Sequence, residues 1–178
     1  MNINHLIIIK EKYIYIYIYM ISTYSNGKKI YSIDLMFSYI NIFKPKYKSI
    51  VITKLLHMLN EKCWGNEYNK DKRYSPLDVI KDKKNKKYKN EINRIKNSNL
   101  KYPIIITDKN DIVDGMHRLA KAFLQNKKNI KVYFFDKKLM KKFLINSKGN
   151  YEKVDKLQGY ELIEIFYKKF KSHFAIIK

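Results

Sequence analysis

From Lys29 onward, apolar and polar positions alternate in two rhythms, one near every second residue and one near every third or fourth. KIYSIDLMFSYINIF (Lys29–Phe43) is dense in β-branched and aromatic residues and is expected to hold a strand. SIVITKLLHMLNEK reads as a short strand running into a helix, with Leu55, Leu56 and Leu59 on one face. GNEYNKDKRY is a polar connection, and after it Ser75, Pro76 and Asp78 mark a helix start. Serine suits the N-cap, proline the first helical position, and an acid the positive end of the helix dipole.

KYKNEINRIKNSN continues as a second amphipathic helix with Ile92 and Ile95 inward. YPIIITD is a compact apolar strand, KND a tight turn, and IVD a second short strand. Gly115 breaks that strand, and MHRLAKAFLQN starts a helix whose buried stripe is Leu119, Ala122 and Phe123. NIKVYFFD is another strand, KKLMKKFLIN a cationic amphipathic helix, and SKGN a loop. LQGYELIEIFYKKF closes the pattern as a terminal helix with Leu162, Ile163, Phe166 and Phe170 inward. The order predicts a mixed α/β fold: one compact domain over residues 27–171, a small mixed sheet flanked by helices, and an extra C-terminal helix. Residues 172–178 are expected to be a tail.

The first 26 residues break the rhythm. EKYIYIYIYMIS alternates Tyr and Ile, a strand pattern that a TATATA repeat in DNA also encodes. Met20 then reads as the start of translation, and residues 1–26 as a disordered or non-native extension. Lys10, Glu11 and Lys12 interrupt the apolar runs, neither of which reaches the ~20 residues of a membrane span, so no membrane partner is expected. The segment also lacks the small-residue cleavage site of a secretory signal.

Composition changes the picture mainly through charge. The 178-residue chain holds 38 Lys+Arg against 16 Asp+Glu, a formal net charge of +22. Such an excess suits nucleic acid or another polyanion. Lys, Asn, Ile, Tyr and Phe are the residues of A/T-rich codons, so much of the charge is read as codon drift onto a solvated surface. KDKKNKKYK is read in the same way, as a solvated connection. A single cysteine, Cys63, excludes an internal disulfide and fits a reducing, cytoplasmic setting. With Lys62 its only basic neighbour in sequence, Cys63 is expected to be a buried structural thiol.

Arginine occurs only at Arg73, Arg94 and Arg118. Against a lysine background, an arginine points to a need for a planar, multi-donor fork. Arg118 falls in DIVDGMHRLAKAFLQ, where a strand ends at Asp114 and a helix starts after Gly115. The free amides of a first helical turn, Met116 included, form a ready anion site. Arg118 can grip a phosphate with two parallel hydrogen bonds. His117 can move a proton near neutral pH, and Asp114 can bind a metal, orient His117 or act as base. The plainer alternative has Asp114 capping the helix, with His117 and Arg118 as surface residues.

PIIITDKNDIVDGMHRLAKA followed by IKVYFFD resembles the core of the ParB/sulfiredoxin superfamily. Gly115, His117, Arg118 and Ala122 fall on its G-x-[HR]-R-x-x-x-A helix, and SPLDVI is similar to the helix that precedes it. Lys29 to Phe170 as a whole resembles ParB-like proteins encoded by large DNA viruses. The resemblance implies a ParB/sulfiredoxin-like α/β domain whose loop holds nucleotide phosphates. Met116 stands where sulfiredoxin-like members have a nucleophilic cysteine, which argues against reductase chemistry. No helix-turn-helix reader follows Asp136, which argues against a DNA-sliding clamp.

The D-G-x-H-R form is most similar to the kinase-like branch of the superfamily. The expected function is therefore nucleotide binding at Asp114–Arg118 with phosphoryl transfer or hydrolysis. Gly115, Met116, His117 and Arg118 would hold phosphate, Asp114 and His117 would be catalytic, and Asp114 would bind Mg²⁺. Asp78, Glu61, Glu67 and Asp136 are all candidates for a second carboxylate. The alternatives are a basic nucleic-acid-binding protein and a ParB-like nuclease.

Overall fold

The computed structural model describes residues 6–9, 12–15, 21–65 and 72–174. Strands β1 (Leu6–Ile9) and β2 (Lys12–Tyr15) pair antiparallel. The remainder of the Tyr-Ile repeat and the proposed start at Met20 lie outside the described residues. Part of the expected N-terminal extension is a paired strand, β3 (Thr23–Asn26), which joins β4 (Lys29–Ser32) through a turn at Gly27.

The strand expected over Lys29–Phe43 stops at Ser32. Ile33–Phe43 is instead helix α1, a correction that local chemistry explains. Ser32 caps the helix by accepting from the Leu35 N–H at 3.2 Å, and Asp34 lies in the first turn. Leu35, Met36 and Ser38 then fall on one buried face at helical spacing, which outweighs the strand preference of the aromatic and β-branched residues.

Strand β5 (Lys48–Val51) leads into a 3-10 helix, Ile52–Asn60, with Leu55 and Leu59 buried and Leu56 half-buried. The two-residue strands β6 (Trp64–Gly65) and β7 (Arg73–Tyr74) pair antiparallel, and the polar connection between them lies outside the described residues. Helix α2 (Pro76–Lys81) begins as expected, with a reciprocal capping box between Ser75 and Asp78. A short 3-10 turn, Lys86–Tyr88, precedes helix α3 (Lys89–Asn97).

Strand β8 (Ile104–Thr107) is buried throughout, and β9 (Ile112–Asp114) folds back on it. Helix α4 (Met116–Leu124) follows, then β10 (Asn129–Phe135). Helix α5 ends at Lys142, short of the expected KKLMKKFLIN helix, and Leu144–Asn146 is strand β11 beside β4. A short helix α6 (Tyr151–Asp155) precedes α7 (Gly159–Phe174), which extends into the expected tail.

The expected span 27–171 contains parts of two compact units, one of residues 1–45 and 136–178, the other of residues 46–135. In the first, β3, β4 and β11 form an antiparallel sheet. Its core is aromatic: Phe170 is fully buried, with ring centres 5.7 Å from Phe43 and Phe143 and 4.7 Å from Phe166. The four expected inward residues of α7 are all buried.

In the second unit the sheet runs β5-β10-β8-β9. β10 is parallel to β8 and antiparallel to β5, so α4 is part of the crossover that returns the chain to the far side of β8. Leu119, Ala120 and Ala122 of α4 are buried with Ile104, Ile106, Leu55, Val79 and Ile95. The small side chains at Ala120 and Ala122 let the neighbouring elements approach closely. Among the described residues no helix is long and apolar enough to cross a membrane.

Candidate functional site

The strand-to-helix turn at Gly115 needs glycine for two reasons. Its φ of 106° lies in the left-handed region, and a Cβ there would stand 2.8 Å from Arg118 Nη2 and against the side chain of Ile104. The turn therefore closes tightly between β8 beneath and Arg118 above. Leu119 N–H donates to the Gly115 carbonyl at 3.0 Å, starting the helix, and no side chain caps its first turn. Asp114 is thus not the helix cap.

Arg118 does not stand out into solvent. Its guanidinium turns back over the loop, and Nη2 donates to Asp114 Oδ2. Both side chains are largely covered, at 20% and 27% exposed. Arg118 Nε is buried and makes no hydrogen bond among the described residues. Asp114 and Arg118 therefore face each other across Gly115, and an anion at this loop meets a guanidinium already held by one carboxylate.

His117 belongs to a second cluster. Its Nε2 lies 2.5 Å from Glu91 Oε2, and its ring stacks on Trp64 with centres 4.5 Å apart and planes 14° apart. A carboxylate accepts, so Nε2–H is the donor in the neutral imidazole. Burial pushes the His117 pKa below the ordinary histidine value, even though Glu91 pulls it upward. The shift favours the uncharged ring.

The ends of α3 and α4 hold this cluster in place. Lys121 Nζ donates to the carbonyls of Lys96 and Ser98 at 2.7 and 2.6 Å, closing the C-terminus of α3 with a cation. Ser98 Oγ lies 3.3 Å from the His117 carbonyl. Glu91, in the first turn of α3, is thereby set beside the start of α4, with Arg94 3.8 Å away on the same helix.

Of the four carboxylates expected as candidates near the loop, Asp78 and Asp136 are engaged as helix caps instead. Asp78 is held in the α2 capping box, and its hydrogen bonds with Ser75 keep its pKa low. Asp136 caps α5 by accepting from the Leu139 N–H at 2.7 Å. Glu61 is exposed, and Glu67 lies outside the described residues. The carboxylate beside the loop is Glu91, which looks like an ordinary solvated helix residue in sequence. Its only local hint was a first-turn position four residues before the buried Ile95.

Cys63 also departs from expectation, since the residue is exposed. Its thiol is nonetheless crowded enough for burial to push its pKa up to about 11, leaving it protonated and a poor nucleophile at neutral pH.

Among the described residues no group of three or more His, Cys, Asp and Glu side chains could hold a metal ion. Asp114 alone could contact Mg²⁺, which often takes one or two protein carboxylates and completes its shell with phosphate and water. A cleft of about 560 Å³ lies by the C-terminal end of α4, lined by Phe123 and Asn126 among others. No family model, curated protein or solved structure matches this chain.

Proposed function

We propose that this chain carries a ParB/sulfiredoxin-like domain that binds a nucleotide's phosphates at Asp114–Arg118 and transfers the terminal phosphoryl group to water or a hydroxyl acceptor. The observation that carries the reading is the fold-back of Arg118 over Gly115, at a helix start without a side-chain cap. That arrangement puts a multi-donor cation and free amide dipoles on one loop, the combination phosphates require. The order β8, turn, β9, Gly115, α4 and then β10 is the strand, turn, strand, helix and strand succession on which the resemblance to the superfamily rests.

In this reading phosphate takes the place of the Asp114 carboxylate on the Arg118 fork. Asp114 would then hold Mg²⁺, which would supply charge neutralisation at the phosphates. With Nε2–H held by Glu91, Nδ1 of His117 is the free ring nitrogen, and it accepts the proton from the attacking oxygen. A bond forms between that oxygen and the terminal phosphorus, and the bond to the bridging oxygen breaks. The shortened nucleotide departs with the charge that Arg118 neutralises.

A thermal-shift screen of nucleoside di- and triphosphates with and without Mg²⁺ tests the reading. A ligand at about 100 times its Kd stabilises by about 2.7 kcal/mol, a visible rise in Tm. No shift with any nucleotide under either condition would remove the proposal.

A further inference from the structure

A second surface of the 46–135 unit has different chemistry from the Gly115 loop and does not depend on it. The β5–β10 pairing sets Val51 opposite Asn129 and Ser49 opposite Lys131. Side chains two apart share a face, so Tyr47, Ser49, Val51, Asn129 and Lys131 line one side of this ribbon. All five are exposed, Tyr47 at 51% and Val51 at 49%. Lys131 Nζ sits 4.9 Å from the centre of the Tyr47 ring.

At the Val51–Asn129 end this strip runs into the 560 Å³ cleft, where Phe123 and Val51 supply apolar wall, Asn126 and Asn129 amides, and Lys127 and Lys128 cations. Pockets for small organic ligands occupy about 300–1,000 Å³, so the cleft has room for a nucleobase. The two segments that build the surface, residues 46–60 and 115–135, contain no Asp or Glu, although the chain has 16. Lys46, Lys48, Lys54, Lys127, Lys128 and Lys131 are all exposed there. These segments contribute lysines and no carboxylates to the surface, whatever the codon bias of the whole chain.

We propose that this strip binds single-stranded nucleic acid, with one base in the cleft beside Phe123, the backbone on Lys127, Lys128 and Lys131, and another base stacked on Tyr47. Tyr47 stands four residues from Val51, about 13 Å along the strand. An exposed aromatic ring and an apolar-walled cleft can be used only by unpaired bases, because a duplex hides base faces in its stack. Asn side chains suit base edges, and lysines track phosphates as point charges.

The test measures anisotropy of a fluorescein-labelled oligothymidylate with the full chain, at salt between about 50 and 200 mM. Lys127→Glu/Lys128→Glu should weaken binding about tenfold or more. Tyr47→Ala should weaken it at least about fivefold, the loss of one stacked base. Lys83→Glu/Lys84→Glu makes the same charge change on the exposed turn after α2 and should alter affinity less than about twofold, since those lysines touch no backbone in this account. Equal weakening by both charge-reversed pairs would mean diffuse attraction and overturn the proposal. So would the absence of binding, an unchanged affinity for Tyr47→Ala, or equally effective competition by duplex DNA. All the substituted residues are exposed, so the variants retain the fold.

Discussion

Arg118 Nη2 donates to Asp114 Oδ2 across the glycine that separates their elements. In a lysine-rich chain this arginine reaches back over the turn to a carboxylate. Under the proposed function the pair also sets up a competition, because phosphate would seek the guanidinium that the Asp114 carboxylate holds.

That competition has a measurable sign. Asp114→Asn removes the rival charge, so calorimetric titration without Mg²⁺ should show tighter nucleotide binding than in the native chain. With Mg²⁺ the variant should gain little, having lost the metal's protein contact. Weaker binding under both conditions would show that Asp114 does not compete with phosphate.

Gly115→Ala should be strongly destabilising. Left-handed backbone costs a residue with a Cβ roughly 1–2 kcal/mol, and overpacking against Ile104 and Arg118 about 1–3 kcal/mol more. Urea denaturation should therefore give a loss of about 2–5 kcal/mol. A loss below about 1 kcal/mol would mean that the turn relaxes freely.

Burial lowers the His117 pKa below the ordinary value of about 6.5. Between the folded value and about 6.5 the unfolded chain binds the proton and the folded chain does not, so stability rises with pH across that window. It should fall as pH drops below about 6.5 and level off beneath the folded value. His117→Gln can still donate to Glu91 and does not titrate, so denaturation curves at a series of pH values should lose this part of the slope. An unchanged slope would assign it to other groups.

Glu91→Gln tests the carboxylate beside the imidazole. Glu91 raises the His117 pKa against the effect of burial, so its neutral isostere should lower that pKa further. Titration of the imidazole resonances by nuclear magnetic resonance reads the change directly. An upward move would contradict the arrangement.

Phe170→Ala should cost about 3–5 kcal/mol, because a fully buried ring in contact with Phe43, Phe143 and Phe166 leaves a cavity. Denaturant unfolding measures it, and a cost under about 1 kcal/mol would mean that the aromatic cluster repacks.

The parts legible in sequence are those whose signals are local. Ser75, Pro76 and Asp78 announce a helix within four residues, and the spacing of Leu162, Ile163, Phe166 and Phe170 fixes the buried face of α7. The strand–glycine–helix turn at Gly115 was visible for the same reason. Helix α1 was hidden because Ile33–Phe43 has strand-like composition and only the Ser32 cap speaks for a helix. Glu91 and Trp64 were hidden because they reach His117 from 26 and 53 residues away, through the docking of α3 and the β6 strand. No periodicity encodes such a meeting.

Trp64 is the chain's single tryptophan and lies on His117, next to Arg118 in sequence, so its emission reports on the surroundings of the Asp114–Arg118 loop. The most direct test is a titration of Trp64 fluorescence with nucleoside triphosphate and Mg²⁺, comparing the native chain with Arg118→Lys. The account predicts a saturable change in the native chain and a Kd at least about tenfold weaker for the lysine variant, which keeps the charge and loses the fork. Equal affinities for the two proteins would contradict it.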